Sequence, residues 1–332
     1  MRWRRPDGAA LMDALHKFIF DGLPVRGMLV RLESSWQELQ RRHDADRGYA
    51  PPVRALLGQM CAAGVLMHAN IKFDGALVLQ VFGDGPVRLA VADVQPDLCF
   101  RATAKVVGAV ADDARLEDMV NVQGQGRCAI TLDPLDKQRG QQPYQGVVAL
   151  HGDRHQPLQR LSDVLEHYML QSEQLDTRLV LAADERRAAG LLIQRLPVGG
   201  AEGAAQRRRD IDEHRIGRDE DYNRIARLAA SLTEHELLTL DDQTLLRRLF
   251  WDERLLGFEP LVPRFGCSCS NDRVRAMLLG LGQAEVQSIV AERGEVEIVC
   301  DFCGQPYRFD PVDAAGLFMP GRDRPPGSDK VQ

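Results

Sequence analysis

The sequence predicts an α+β fold: an N-terminal mixed α/β core domain, a helical linker and a small C-terminal domain gathered around cysteine. Three observations predict it. Strand-like alternation and one long apolar helix pattern fill the first 197 residues, with runs of each element type rather than a strict strand–helix alternation. A stretch almost free of large apolar residues follows. Four of the seven cysteines are then bunched between positions 267 and 303.

A chain of 332 residues has room for two domains, or for one with a small appendage. Its 44% apolar and 27% charged residues are those of an ordinary soluble globular protein. No stretch approaches the length of a transmembrane helix. Arg2, Arg4 and Arg5 suggest the start of a signal peptide, but Asp13, His16, Lys17 and Asp21 interrupt the apolar run that follows. A cytoplasmic protein with no membrane partner is expected. A net charge of -6 argues against nucleic acid as a partner, because such binding relies on a basic surface that displaces counterions.

Within the first domain, residues 53–70 are rich in Leu, Ala and Met and read as a mostly buried helix. Leu77, Leu79 and Val81 alternate, as do Val87, Leu89 and Val91, and Gly83-Asp84-Gly85-Pro86 supplies the turn of a β-hairpin. Further strands are expected at 100–107, 129–132 and 146–150, a helix at 158–171, and two strands at 178–182 and 190–196. The core domain thus covers residues 1–197.

Residues 198–260 form the linker. VGGAEGAAQRRRDIDEHRIGRDED has almost no large apolar residue and two charge-rich stretches, the composition of a weakly ordered segment. Acidic neighbours follow Arg207 to Arg209 closely, so this run reads as a solvated face. Helical signals return from Tyr222 to Leu256. Thr233 and Glu236 make a capping box, and Leu245, Leu249 and Leu256 share helical spacing beside Phe250 and Trp251. Such short amphipathic helices are marginal alone in water and need a surface to lie on, either the first domain or the metal module.

The C-terminal module covers residues 261–312, with a disordered tail at 313–332. Ser270 is placed to cap a helix through Leu279 that Gly280 and Gly282 end. A second helix runs from Gln283 to Glu292 and stops at Gly294, and Val296 to Val299 reads as a strand. No internal repeat is present.

The cysteine pattern is Cys-x-Cys, thirty intervening residues, then Cys-x-x-Cys, formed by Cys267, Cys269, Cys300 and Cys303. Four thiolates are a complete tetrahedral set for one structural Zn2+. The pair in CDFCG suits a tight turn in which both sulfurs face one ion, with Gly304 free to take a left-handed conformation. A thioredoxin-like redox pair at Cys300 and Cys303 should open a helix after a strand, yet GQPYRFD follows. A catalytic zinc keeps an open position, whereas four sulfurs fill the shell, and the deaminase pattern is absent. A purely structural zinc module without regulation stays open.

Physical chemistry makes a switch plausible. The module has few large apolar side chains and hence a weak core. Zinc contributes on the order of 10–16 kcal/mol to the folding of such peptides. Zinc also holds the sulfurs as thiolates, the form that peroxide or hypochlorous acid attacks, and an oxidised sulfur binds metal poorly. Cys-x-x-Cys closes a disulfide easily, while a Cys-x-Cys ring is tighter and more labile.

With these residues in view, the chain closely resembles the redox-regulated holdase chaperones of the thirty-three-kilodalton heat-shock protein family. The resemblance runs from about Arg31 to Asp310 and is most specific in FGCSCSNDRV joined to EIVCDFCGQPYRF. It continues in RLESSWQELQRRH, IKFDGALVLQVFGDGP, ITLDP with YQGVVALHG, and YMLQSEQLDTRLVLA with AAGLLIQRLP. The resemblance implies a compact, inactive, zinc-bound reduced monomer with one ion per chain. Under oxidative stress it implies two redox disulfides, Cys267 with Cys269 and Cys300 with Cys303, and release of the zinc. The module and the metastable linker then lose structure, exposing apolar surface that binds unfolded client proteins without ATP, and the active form becomes a homodimer. Two features depart from many members: HDADRGYAPP at residues 43–52, which reads as an insertion near the first helix, and the long proline-containing tail. Neither touches the cysteines.

No Walker-type phosphate loop is present, so ATP dependence has no support. Cys61, Cys99 and Cys128 are isolated in apolar or strand contexts and read as buried structural thiols. His43, His68, His151, His155 and the remaining histidines show no ligand spacing. Beside the holdase stand two other readings: a zinc-module binding protein without redox switching, and an enzyme in the first domain, for which no nucleophile–base pair can be named.

Overall fold

The structure, a computed structural model, describes residues 12–44, 48–135, 142–152, 156, 158–196 and 213–319. The expectations made for Arg2, Arg4 and Arg5, for His155, for part of the 43–52 insertion, for Arg207 to Arg209 and for the tail beyond residue 319 lie outside these residues. The chain divides into two compact units, Met1–Gly266 and Cys267–Gln332.

In the first unit the strands are β1 (Ala14–Phe20), β2 (Val25–Leu32), β3 (Gly75–Phe82), β4 (Val87–Val94), β5 (Cys99–Val106), β6 (Arg127–Pro134), β7 (Tyr144–Ala149), β8 (Thr177–Ala183), β9 (Ala188–Arg195), β10 (Leu255–Gly257) and β11 (Arg264–Phe265). Its helices are α1 (Ser34–Asp44), α2 (Pro51–Asn70), α3 (Leu116–Val120), α4 (Leu161–Glu173), α5 (Glu213–Ala230), α6 (Glu234–Thr239) and α7 (Asp242–Leu249). The strands make a five-stranded sheet ordered β10-β1-β2-β9-β8 and a six-stranded sheet ordered β11-β5-β4-β3-β6-β7.

The expected buried helix is α2, which packs against strands of both sheets. Its sides are apolar all round, so it cannot lie on a surface and must be enclosed. Gly58 and Gly64 permit the close approach: a Cβ on either would fall 2.5 Å from Ala183 Cβ or 2.8 Å from Val94 Cγ2. The expected hairpin is β3–β4, with Leu77 opposite Val94 and Val81 opposite Ala90. The strands and helix expected between residues 100 and 196 are β5 to β9 and α4, with ends shifted by a few residues.

Sequence patterning does not reveal β1, β2 or α1. Both faces of β1 and β2 are covered, so neither shows an apolar–polar alternation. Helix α1 takes its cap from a distance: Asp13 accepts from the backbone N–H of Glu33 at 2.7 Å and from the Ser35 hydroxyl at 2.6 Å. The interruptions that break the apolar run at residues 13–17 are therefore structural. Lys17, for example, donates to the Ala69 carbonyl at the end of α2 at 2.6 Å.

Helices α5 to α7 find their surface on the five-stranded sheet. Ile225, Leu237, Leu245, Leu249 and Phe250 pack against Phe18, Phe20, Val25, Leu29, Leu191 and Ile193. Phe20 and Phe250 meet edge to face with centroids 5.0 Å apart. The Thr233–Glu236 capping box forms as expected. One expectation is corrected. Leu256 does not extend the helical stripe but lies in β10, 39% exposed and opposite Ile19, because α7 ends at Leu249. Trp251, in the turn that follows, is 77% exposed.

The second unit contains α8 (Asn271–Leu281), α9 (Gln283–Arg293), β12 (Val296–Val299), β13 (Pro306–Phe309) and α10 (Pro311–Leu317). Ser270 caps α8 by accepting from Arg273 N–H at 3.2 Å. Gly280 does not end α8. The helix runs to Leu281, and Gly282, at φ +94°, ends it. Helix α10 carries order past residue 312, where the tail was expected to begin. Asp310 explains this by capping the N–H groups of Val312 and Asp313 at 2.8 and 2.7 Å, with Pro311 opening the first turn. The buried apolar core of the unit is small: Val274, Leu278, Val286, Val296, Phe309 and Ala314.

Candidate metal centre

Strands β12 and β13 pair antiparallel, with Val299 opposite Pro306 as the last pair before the turn. Cys300 and Cys303 lie in that turn. Cys303 N–H and Gly304 N–H both reach the Cys300 carbonyl, at 3.3 and 2.8 Å, and Cys300 N–H reaches the Gln305 carbonyl at 3.0 Å. Gly304 has φ +67°, the left-handed conformation expected of it. This reversal turns both sulfurs to one side. Cys267 and Cys269 come from the segment just before α8 and face them.

Cys267 Sγ lies 3.7 Å from Cys300 Sγ, and Cys269 Sγ lies 3.4 Å from Cys303 Sγ. All four sulfurs fall within 4.8 Å of one another. A tetrahedron with zinc–sulfur bonds of about 2.3 Å has edges of about 3.8 Å. The spacing and the donor chemistry therefore fit a closed four-sulfur shell, and the set can hold a metal ion. Cys303 is buried and the other three are half-buried.

Burial pushes the Cys300 and Cys303 thiols up; Cys267 adds to the rise at Cys300, where Cys303 opposes it, and the three other sulfurs add to the rise at Cys303. Backbone N–H groups of Phe302 and Gln305 act in the opposite direction on Cys300 and Cys303 respectively, without cancelling the effect of burial. Four sulfurs this close hold negative charge only beside a cation. Tyr307 lies beside the same cluster, and the neighbouring Cys269 chiefly pushes its phenol up to about 12. Sequence spacing alone did not single it out. Its place on β13, one residue inside the pair that closes the turn, is the signal that could have found it.

The other cysteines stand apart from this group. Cys61 and Cys128 are fully buried, with thiols pushed up by burial, that of Cys128 to about 12. Cys99 is half-buried rather than buried, and Gly266 passes so close that a Cβ there would overlap its sulfur. Among the described residues no histidine joins the sulfur cluster. His43 meets the Ala102 carbonyl at 2.9 Å and His68 the Gly75 carbonyl at 2.8 Å.

A second feature lies wholly within the first unit. Asp242, at the start of α7, meets His16 Nε2 at 2.9 Å and Arg31 Nε at 3.0 Å. Arg31 also donates to the Leu240 carbonyl at 2.7 Å, and Arg187, paired with Glu33 at 2.9 Å, donates to the Leu238 carbonyl. Burial alone would raise the Asp242 carboxyl, but the His16 hydrogen bond and the Arg31 and Arg187 charges outweigh it and hold the group below its ordinary value. These residues fasten α6 and α7 to the sheet. No local spacing could reveal them, since His16 and Asp242 are 226 positions apart.

Comparison with known proteins adds identity to geometry. A family model described as Hsp33 protein matches residues 13–310. A 33 kDa chaperonin of Chromobacterium violaceum is 44% identical, covering 92% of this chain and 94% of its own. One from Methylobacillus flagellatus is 40% identical, covering 94% and 98%. The crystal structure of a 33 kDa chaperonin from Thermotoga maritima shares the fold, with a TM-score of 0.68 over 92% of this chain and 97% of the other at 19% identity.

Proposed function

The chain belongs to the Hsp33 family, and from that premise we propose that it is a redox-regulated, ATP-independent holdase chaperone. In the reduced state Cys267, Cys269, Cys300 and Cys303 hold one Zn2+ per chain, and the protein is inactive. Residues 1–197 are the substrate-binding core, residues 198–260 the metastable linker, and residues 261–312 with the helix that follows the redox switch. The observation that carries this reading is the four-sulfur cluster in a unit whose described residues form a core cluster of just six buried apolar side chains.

Bound zinc supplies thiolate character at neutral pH. One sulfur attacks peroxide, forming a sulfenic acid and releasing hydroxide. The neighbouring thiolate then displaces the second hydroxide and closes the disulfide. Each disulfide uses one peroxide and releases two hydroxides, which take up two protons from solvent and become water, so Cys267–Cys269 and Cys300–Cys303 together consume two peroxides. A sulfur in a disulfide no longer serves as a thiolate ligand, so the oxidised set would not hold the ion. With so small a core the switch unit then loses order. The linker helices follow, baring the sheet face that carries Phe18, Phe20 and Leu191. That face binds unfolded clients, and the oxidised protein forms a homodimer. The reading places the protein in the cytoplasm as part of a stress response. It assigns no catalysis, and neither nucleic acid nor membrane as a partner. Among the described residues no helix is long and apolar enough to cross a membrane.

The test is zinc release with thiol counting during peroxide treatment at mild heat. The expected result is one zinc and four thiols lost per chain, followed by suppressed aggregation of a denatured client. Retention of zinc and thiols in a protein that still suppresses aggregation would favour a zinc-module binding protein without a switch.

A further inference from the structure

The outer edge of β1 is occupied by the chain's own segment Arg254–Leu261, with sequence RLLGFEPL. Asp21 N–H donates to the Arg254 carbonyl at 2.9 Å, and Phe258 N–H donates to the Lys17 carbonyl at 2.9 Å. Leu15 and Leu261 exchange both bonds, at 2.8 and 3.0 Å. Backbone pairing thus runs the length of β1, from Leu15 to Asp21. Side-chain burial adds little to it: Leu256, Phe258 and Leu261 are all exposed, Phe258 at 54%. The regular part of the pairing, β10, is only three residues long.

This is a sheet edge covered by a short strand that is held by main-chain hydrogen bonds, each of which contributes only modestly net of its competition with water. Once it leaves, β1 presents a row of unpaired N–H and C=O groups, the template for addition of another strand. The face beside that edge is apolar, since Phe18 and Phe20 project from β1 into the cluster that the linker helices cover. Leu255, opposite Phe20, packs partly against the same cluster. The resident segment is therefore a template for a replacement: an extended peptide with apolar side chains at alternate positions.

We propose that extended segments of unfolded proteins bind the oxidised protein by adding as a strand to the edge of β1 vacated by residues 254–261. The proposal rests on the holdase reading and specifies the chemistry of its client. Main-chain pairing gives affinity without regard to sequence, and the Phe18–Phe20 face selects apolar alternation. A chaperone that meets many different clients is served by such a mode, because every polypeptide carries the same backbone groups.

The experiment uses the full chain, reduced and oxidised, with a fluorescent synthetic peptide RLLGFEPL as probe. A second peptide is N-methylated at Phe258 and Leu261, whose N–H groups face β1. A third is N-methylated at Gly257, whose N–H the ladder alternation turns away. The oxidised protein should bind the first and third peptides comparably and the second about tenfold or more weakly. The first should also displace a denatured client, and the reduced protein should bind none of them. Equal binding of the second and first peptides overturns the proposal, as does a failure of the first to bind or to compete while oxidised protein still suppresses aggregation. If the oxidised protein suppresses no aggregation at all, the holdase reading itself fails.

Discussion

Leu245 on α7 offers a direct measure of how firmly the linker is held. Its side chain is fully buried among the aromatic and aliphatic residues that join α5–α7 to the five-stranded sheet. Leu245→Ala leaves a cavity at that junction, and such truncations cost about 2–5 kcal/mol. If α6 and α7 open as a unit of their own, the whole cost falls on that opening, making it about 30- to 4,000-fold more frequent. Amide hydrogen exchange on the reduced, zinc-loaded protein reads this element by element. Protection should fall by that factor in residues 234–249 and stay unchanged in α2, whose core lies on the other side of the sheet. A uniform loss of protection through α2 would show that linker and core open together, and no loss in α7 would show that the interface does not hold it. Either result refutes a separately releasable linker.

Two further expectations follow from single residues. Gly304→Ala places a Cβ on a left-handed backbone at the cysteine turn, at a cost of about 1–2 kcal/mol. Competition with a chelator should show zinc affinity lowered by roughly 5- to 30-fold, and an unchanged affinity would mean that the turn does not position the sulfurs. Asp242 is held below its ordinary value of 3.8, so its contacts contribute stability that is present above that value and lost as pH falls through the depressed folded value. Exchange in α6 and α7 should therefore quicken below about pH 4 in the native protein. The acid-sensitive part should be missing from Asp242→Asn, and an identical acid response in both would refute the role of the carboxylate.

How much of this was legible before the structure depends on whether a feature is local. The β3–β4 hairpin, the cap at Ser270 and the turn around Gly304 are written in residues a few positions apart, and each formed as read. The four cysteines were legible as one group because sulfur donors in two close pairs have few other uses. Strands β1 and β2 were not, since covering on both faces erases alternation and His16, Lys17 and Arg31 look like interruptions. Those residues acquire sense only from partners such as Asp242 and the Ala69 carbonyl, which the fold brings from far along the chain. The end of the linker was misread for a related reason. Leu256 has helical spacing with Leu249, but backbone pairing to β1 decides its conformation.

Helix α2 sits between two sheets, and its core cluster includes no buried residue of the linker helices, which form a separate cluster on the five-stranded sheet. Under the proposed switch, the segments that leave the outer face of the five-stranded sheet therefore have a standing mould to return to, because the layer behind that sheet is built without them.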